Sequence, residues 1–599
     1  MAKEKLFKGG EFLLTDALPE EVFTPEDFSK DHKLVGKSAE EFGTKELLAK
    51  REELQDLNIP LVKELLKKAG ELGFLGADMP EVFGGSELDK VSSMLISEKL
   101  CSGVSGFMAA YGVQTGIGSL PIVLFGTPEQ KKRYLPKIAS AEIVAAYALT
   151  EPGHGSDALG AETQAALSSD GKHYVLNGQK QFITNAGFAD LFVTYAQVDE
   201  SKFTSFIVER QWEGVSVDEE EKKMGMHGSS TRAVIFQNVK VPVENVLGEV
   251  GRGHVVALNT LNVGRFKIAP MVVGSAKSIF AEAIKYAKGR VQFGKPISEY
   301  GLIRQKIADM LIRLYVLESM AYRTAALLDL ALEGIDPTSA EAGQKTGEAL
   351  RKYALECSIN KVFGTEALDF VVDECVQIYG GYGYIQEYPA EGAYRDSRIN
   401  RIWEGTNEIN RLLIVDMLMR AALKGELPLL DAIRQVMGEI LNMRPEFGGG
   451  EEEGILDKEK KMVSMSKKIG MLTAGAATQK YMQKLADEQE IVAAIADMII
   501  EVFAMESALL RTLKKVQKEG EESSKIHIAA TKAYINEAFP KIELKAKTIF
   551  AAIAEGEELR TQLMGLKRLA KHTPVNTIAL KREIAESVIP VARYHLTKM

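Results

Sequence analysis

Asp170-Gly171-Lys172-His173-Tyr174-Val175-Leu176-Asn177-Gly178 is a short extended run held between two turn-forming pairs. Asp-Gly and Asn-Gly favour the positive φ of tight hairpin turns, so His173–Leu176 is expected to be a strand with a turn on each side. Further along, Leu191–Ala196, Thr204–Val208 and Thr231–Phe236 are short runs rich in β-branched and aromatic residues. Short strands with frequent turns point to a barrel or sandwich. This texture starts near Ala145 and stops near Gly253.

On both sides the pattern is helical. Toward the N-terminus, Leu61, Leu65 and Leu66 recur at helical spacing. Thr127-Pro128-Glu129-Gln130 is an N-cap followed by proline at the first helical position. Toward the C-terminus, Ile303, Ile307, Met310, Leu311 and Leu314 mark one apolar helix face. Strands confined to the middle imply segregated layers rather than an alternating parallel α/β sheet. After Leu423 a breaker-rich stretch holds Pro428, Pro445 and Gly448-Gly449-Gly450-Glu451-Glu452-Glu453-Gly454, a candidate linker or loop. From Asp457 the helical pattern resumes.

The fold class is therefore α+β and mainly helical. A chain of 599 residues exceeds what one core holds. Four domains are expected: a helical domain at 1–144, a β-barrel or sandwich at 145–255, a helical bundle at 256–425 and an additional helical domain at 426–599.

With a net charge of −9, nothing global calls for nucleic acid or an acidic membrane as partner. Cys101, Cys357 and Cys375 are odd in number and widely spaced. They form neither a disulfide framework nor a zinc pattern, and they fit a reducing compartment. The first residues carry early acids and no apolar segment, and no run is read as long enough to span a bilayer. The expected location is the cytoplasm.

Two glycine-rich stretches imitate nucleotide motifs. Gly153-His154-Gly155-Ser156-Asp157-Ala158 has the spacing of a dinucleotide fingerprint, but Pro152 precedes it and β texture follows. The fingerprint needs a strand before it and a helix after it. Gly289-Arg290-Val291-Gln292-Phe293-Gly294-Lys295 matches a P-loop up to its lysine, but Pro296 stands where a magnesium-binding hydroxyl is needed. Both stretches still let backbone amides approach an anion closely.

Five stretches, in order, carry a family resemblance. They are Met79-Pro80-Glu81-Val82-Phe83-Gly84-Gly85, Gly126-Thr127-Pro128-Glu129-Gln130-Lys131-Lys132, Ala148-Leu149-Thr150-Glu151-Pro152-Gly153-His154-Gly155-Ser156-Asp157, Gln377-Ile378-Tyr379-Gly380-Gly381-Tyr382-Gly383-Tyr384 and Ile402-Trp403-Glu404-Gly405-Thr406-Asn407-Glu408-Ile409. Together they resemble the acyl-CoA dehydrogenases over roughly Leu61 to Leu423. The run Leu261-Asn262-Val263-Gly264-Arg265-Phe266 and the region Asp457–Met599 resemble the very-long-chain branch, which carries an added C-terminal helical domain and is typically dimeric.

The resemblance implies conversion of an acyl-CoA to a trans-2-enoyl-CoA in fatty acid β-oxidation. A base takes the Cα proton, and a hydride leaves Cβ for FAD on the other face. Glu404 matches the base, and a dry site beside Trp403 would raise its pKa. The competing reading places Glu404 merely near a helix start, with Thr406 capping a helix from Asn407. The backbone N–H of Glu404 and the flavin ribityl hydroxyl would hold the thioester oxygen. Relatives that carry the base on an earlier helix place it where this chain has Gly264, which has no carboxylate. Arg265 next to it either supports the substrate or forms an internal salt bridge.

For FAD, the resemblance points to Tyr147, Ala148, Leu149, Thr150 and Ser156, and to Phe182, Ile183 and Thr184 along the ring. Arg290 and Phe293 match the pyrophosphate and adenine side, supplied by a neighbouring subunit. Gln377, Gly380 and Gly381 match the same neighbour's contribution. Thr406 and Glu408 complete the set, although Glu408 stands where a hydrogen-bond donor is frequent. Ser156, Arg265 and Gly405 are the substrate candidates.

The implied partners are an acyl-CoA, an electron-transfer flavoprotein as acceptor and a second copy in a homodimer. Oxygen as acceptor, as in acyl-CoA oxidases, is the alternative. Leu559–Met599 holds eight basic side chains against Glu583 and Glu586. Its bland reading is a solvated, internally paired helical face. The rival reading is a non-enzymatic protein with a DNA-, membrane- or partner-binding C-terminal domain. Peripheral membrane contact also stays open.

Overall fold

The computed structural model describes residues 6–101, 104–339, 341–442 and 454–598. Helices flank one mixed sheet of eight strands: β1 (Ala145–Ala148), β2 (Gln164–Leu167), β3 (His173–Thr184), β4 (Leu191–Val198), β5 (Lys202–Glu209), β6 (Val215–Val217), β7 (Thr231–Pro242) and β8 (Val246–Leu247). The path is β6-β7-β3-β2-β4-β5-β8, with β1 also on β4. One edge of β4 is shared: β1 pairs in parallel with Leu191–Thr194, and β2 takes Gln197 and Val198. The sheet forks there. Among the described residues its ladder does not close into a barrel.

The expected turn at Asp170-Gly171 joins β2 to β3, with Gly171 at φ +68°. The expected turn at Asn177-Gly178 is corrected. β3 runs through this pair, and its register with β7 slips between Leu176 and Gly178, so the pair forms a bulge. A Cβ on Gly178 would lie 2.4 Å from Thr163 Oγ1, and Asn177 Oδ1 accepts from the Asn238 N–H at 2.8 Å. The dipeptide suits either geometry. Pairing with β7 on both sides of it selects the bulge.

The helical expectations hold locally. Leu61, Leu65 and Leu66 are buried in the helix Ile59–Glu71. Thr127 caps Pro128–Ala139, accepting from Gln130 N, while Gln130 Oε1 accepts from Thr127 N. Ile307, Met310, Leu311 and Leu314 are buried in Gly301–Leu332. Two expectations change. Ser105–Phe125 is long and apolar enough to span a bilayer by composition, but 83% of its most apolar window is buried inside the protein and a break near Gly116 divides it. The breaker-rich stretch after Leu423 contains a helix, Leu429–Asn442, while Pro445 and 448–453 lie outside the described residues.

The C-terminal helices share one apolar core with the bundle. Ile359, Val371 and Ile414 belong to the same buried cluster as Phe503, Phe539 and Ile584. Buried ion pairs cross the joint: Arg511 meets Glu26 at 3.0 Å and Glu318 at 2.7 Å, and Arg323 meets Glu506 at 2.7 Å. Three of the eight basic side chains of the tail are paired within the protein. Lys581 pairs with Asp309 and Glu537, Lys598 with Glu519, and Arg560 with Glu557. Internal pairing, the bland reading, describes these residues.

Candidate active site

Glu404 sits on the short loop between the turn Arg398–Arg401 and the helix Asn407–Leu423. It is left-handed, with φ +56°, and Gly405 follows at φ +81°. Such a pair is strained for a non-glycine residue and must be held from outside. Thr406 caps the helix, accepting from Ile409 N at 3.3 Å. Arg265 Nε donates to the Glu404 carbonyl at 3.1 Å, and Lys361 Nζ donates to the Gly405 carbonyl at 2.8 Å. Asn410 Nδ2 also donates to the Gly405 and Thr406 carbonyls, at 2.8 and 3.0 Å. The capping expectation and the base expectation are therefore compatible: the cap is one of the devices that fixes the Glu404 loop.

The Glu404 carboxyl points at Gly264 on the long helix Gly253–Gly289. A Cβ there would lie 2.7 Å from Glu404 Oε2. The glycine that lacks a carboxylate thus makes room for the one that Glu404 supplies. Oε2 is buried, and among the described residues it has no hydrogen-bond partner. Desolvation pushes the carboxyl up to about 7, against the pull of Arg265 and Lys361. Trp403 packs against the bundle core next to it. Among the described residues, the Glu404 N–H has no acceptor.

Among the described residues Arg265 has no carboxylate within ion-pair distance, unlike its alternative reading as an internal salt bridge. Besides the Glu404 carbonyl it donates to Asn262 Oδ1 at 2.8 Å. Tyr147 lies close enough to Glu404 and Arg265 to feel both charges, and burial raises its phenol well above its usual value.

Tyr147–Thr150 and Phe182–Thr184 come together at one end of the sheet. Gln181 N donates to the Thr150 carbonyl at 2.8 Å, and Lys180 Nζ to the Leu149 carbonyl at 3.3 Å. Lys180 also forms a buried pair with Glu151 at 2.6 Å. These contacts pin the Leu149–Glu151 turn to β3. Beside them β3 slips register a second time, between Lys180 and Ile183, and turns Phe182 outward at φ +58°. Phe182 is 61% exposed while Ile183 is buried. A left-handed bulge that presents an aromatic face is costly unless something flat covers it. The residues therefore fit a planar cofactor ring. Ser156 is exposed on the following loop.

The remaining candidates are elsewhere. Arg290, Phe293, Gln377, Gly380 and Gly381 are exposed where the Gly253–Gly289 and Ala354–Tyr379 helices end. Arg290 lies 5.4 Å from the Tyr382 ring, and Phe293 is 96% exposed at φ +50°. Gly380, at φ +60°, and Gly381 face open space. Gly264 and Gly289 are separated by about 38 Å of helix at 1.5 Å rise per residue. Within one chain this group does not reach Glu404. Glu408 is exposed, and its own backbone N–H and the Thr406 hydroxyl hold its carboxyl below the usual range. It serves its helix start.

Lys361 and Asn407 escaped the reading of the sequence. Asn407 Oδ1 accepts from Lys361 at 2.7 Å, and burial pulls the Lys361 ammonium down to about 7. Their signal was faint: Asn360-Lys361 interrupts the otherwise apolar run Ile359–Phe363.

Known proteins share this fold. Models of the acyl-CoA dehydrogenase N-terminal, middle and C-terminal domains match residues 29–142, 146–239 and 251–419, and a second acyl-CoA dehydrogenase C-terminal domain model matches 465–568. The Bacillus subtilis (strain 168) protein named "Probable acyl-CoA dehydrogenase" is 48% identical over 98% of both chains. The human mitochondrial very long-chain specific acyl-CoA dehydrogenase is 36% identical over 75% of this chain and 69% of its own length. The crystal structure of an acyl-CoA dehydrogenase from Bacillus anthracis complexed with FAD superposes with a TM-score of 0.96 at 49% identity, covering 98% of this chain and all of that one. Butyryl-CoA dehydrogenase from Megasphaera elsdenii, at 34% identity and a TM-score of 0.60, covers 66% of this chain and 99% of its own. With its three core domains and its additional C-terminal helical region all matched, this chain belongs to the acyl-CoA dehydrogenase family.

Proposed function

We propose that this protein binds FAD and desaturates a long-chain acyl-CoA between Cα and Cβ, with Glu404 as the base. The observation that carries the reading is the Glu404 carboxyl: desolvated, without a partner at Oε2, raised to about 7, and pressed against Gly264. A carboxylate poised near neutral pH is matched to general-base work. FAD, when bound, supplies the acceptor for the Cβ hydride. Glu404 takes the Cα proton at Oε2. Its own N–H is the donor available to the thioester oxygen, and charge that builds there is what an oxyanion donor stabilises. Phe182 would cover a face of the bound ring, the pinned Leu149–Glu151 turn would lie along its edge, and Trp403 would keep water out.

A homodimer completes the site. Arg290, Gln377, Gly380 and Gly381 of one copy would close on the Glu404 end of the other, because one chain holds the two groups too far apart. The fork of Arg290 suits a pyrophosphate, and the glycines allow close approach. Long acyl chains are supported by similarity to the very long-chain relatives, and an electron-transfer flavoprotein is the acceptor that fits a dehydrogenase in fatty acid β-oxidation. An anaerobic titration of the FAD-loaded protein tests the reading across short to long acyl-CoAs. Bleaching of the flavin is expected, most completely with long chains. No bleaching by any acyl-CoA would overturn the assignment. In air, peroxide formed in step with turnover would replace the flavoprotein acceptor by oxygen.

A further inference from the structure

We propose that Lys361 is a positioning residue for the base: it fixes the Gly405 carbonyl and holds Glu404 in its ionised, left-handed geometry. This rests on the dehydrogenase reading above. Lys361 lies within the helix Ala354–Tyr379 and is fully buried. Its ammonium donates to the Gly405 carbonyl and to Asn407 Oδ1, at 2.8 and 2.7 Å. Among the described residues no carboxylate is within ion-pair distance of it. A buried cation so placed is expensive, and an apolar side chain of the same length would fill the space at lower cost. The expense is understandable if the charge serves the loop that follows the base.

The geometry supports that role. Arg265 and Lys361 hold two successive carbonyls, those of Glu404 and Gly405, from two different helices. Both residues are left-handed, so without these donors the loop would relax. The groups that face Lys361 are Glu404 and Glu408 on the catalytic segment, Arg265 on the Gly253–Gly289 helix and Glu366 on its own helix. When protonated, its charge therefore favours the carboxylate of Glu404 against desolvation. Asn407 is itself anchored. Its Nδ2 donates to Thr365 Oγ1 at 3.0 Å and to Glu366 Oε1 at 3.1 Å. Arg411 links Glu366, at 2.9 Å, to Asp497, at 2.7 Å, on the helix Gln489–Ser523 of the C-terminal region. The clamp is thus braced from the additional domain.

The test is the rate of anaerobic flavin reduction in Lys361→Met and Lys361→Arg holoenzymes from about pH 6 to about pH 9, with an acyl-CoA that reduces the wild type. In Lys361→Met the midpoint of the profile should rise by about one unit, as for a carboxylate that loses a nearby opposite charge. The rate near pH 7 should fall about 10-fold while substrate affinity changes less than about 3-fold. Lys361→Arg should return the midpoint toward wild type. A purely structural lysine would lower the rate at every pH without moving the midpoint, so an unmoved midpoint refutes the proposal whether or not rate is lost. If the methionine variant loses FAD, Lys361→Gln, which keeps an N–H for Gly405 but no charge, is read by the same criterion. A wild type that no acyl-CoA reduces refutes the dehydrogenase reading and this inference with it. A normally reduced wild type with an unshifted variant refutes only the role of Lys361.

Discussion

Glu404→Gln removes the carboxylate and its buried charge in one nearly isosteric change, so it should abolish the chemistry and stabilise the fold together. The carboxyl stands near pH 7 in the folded chain against 4.5 for an ordinary glutamate. At about 1.4 kcal/mol per unit, holding it ionised costs the fold about 3 kcal/mol. The sign follows from a raised acid. Below pH 4.5 the group is protonated in both folded and unfolded chains, and its contribution is fully present. That contribution is lost as the pH rises to about 7. Glutamine never ionises, so its advantage over the wild type is absent at low pH, grows through this window and is complete above it. The new amide finds no obvious acceptor beside Gly264, which takes back about 1 kcal/mol and leaves about 2. Urea unfolding of FAD-loaded wild type and variant at about pH 4.5 and about pH 8 reads the difference. Acyl-CoA reduction of the flavin should fall about 1000-fold with FAD retained. An equal midpoint difference at both pH values would refute the raised carboxyl, and retained reduction would refute the base.

Two further outcomes follow from the same geometry. Gly264→Ala places a methyl 2.7 Å from Glu404 Oε2 and 3.1 Å from Ile117 Cγ2. It should slow reduction about 10-fold or more with FAD content unchanged, as expected for a displaced base, and a wild-type rate would show that the contact is loose. Arg290→Ala and Glu404→Gln should each be inactive alone, yet regain activity when co-expressed. A mixed dimer has one site with both groups intact, so about a quarter of wild-type sites return on random pairing, and no recovery would refute sharing between subunits.

Local signals were legible where the chain answers to its neighbours in sequence. The Thr127 cap, the buried leucines of Ile59–Glu71, the Asp170-Gly171 turn and the Thr406 cap all follow from rules that span a few residues. Ordered motifs likewise singled out Glu404 and the stretches expected along a flavin. Asn177-Gly178 shows the limit. Its residues permit a turn or a bulge, and only the partner strand β7 decides between them.

Sequence alone therefore determined the order of helical and β regions and the family, and it singled out Glu404, because periodicity, caps and motifs are local. The tertiary structure decided the surroundings that raise the Glu404 carboxyl. Gly264 and Lys361 are distant from Glu404 in the chain, and Arg265 and Lys361 reach its loop from separate helices. Desolvation and electrostatic support depend on distances through space, and folding alone sets those. The same reasoning explains why Arg290 and Glu404, expected in one site from the sequence, are held apart in the protomer: the helix from Gly264, beside Glu404, to Gly289, beside Arg290, is about 38 Å long.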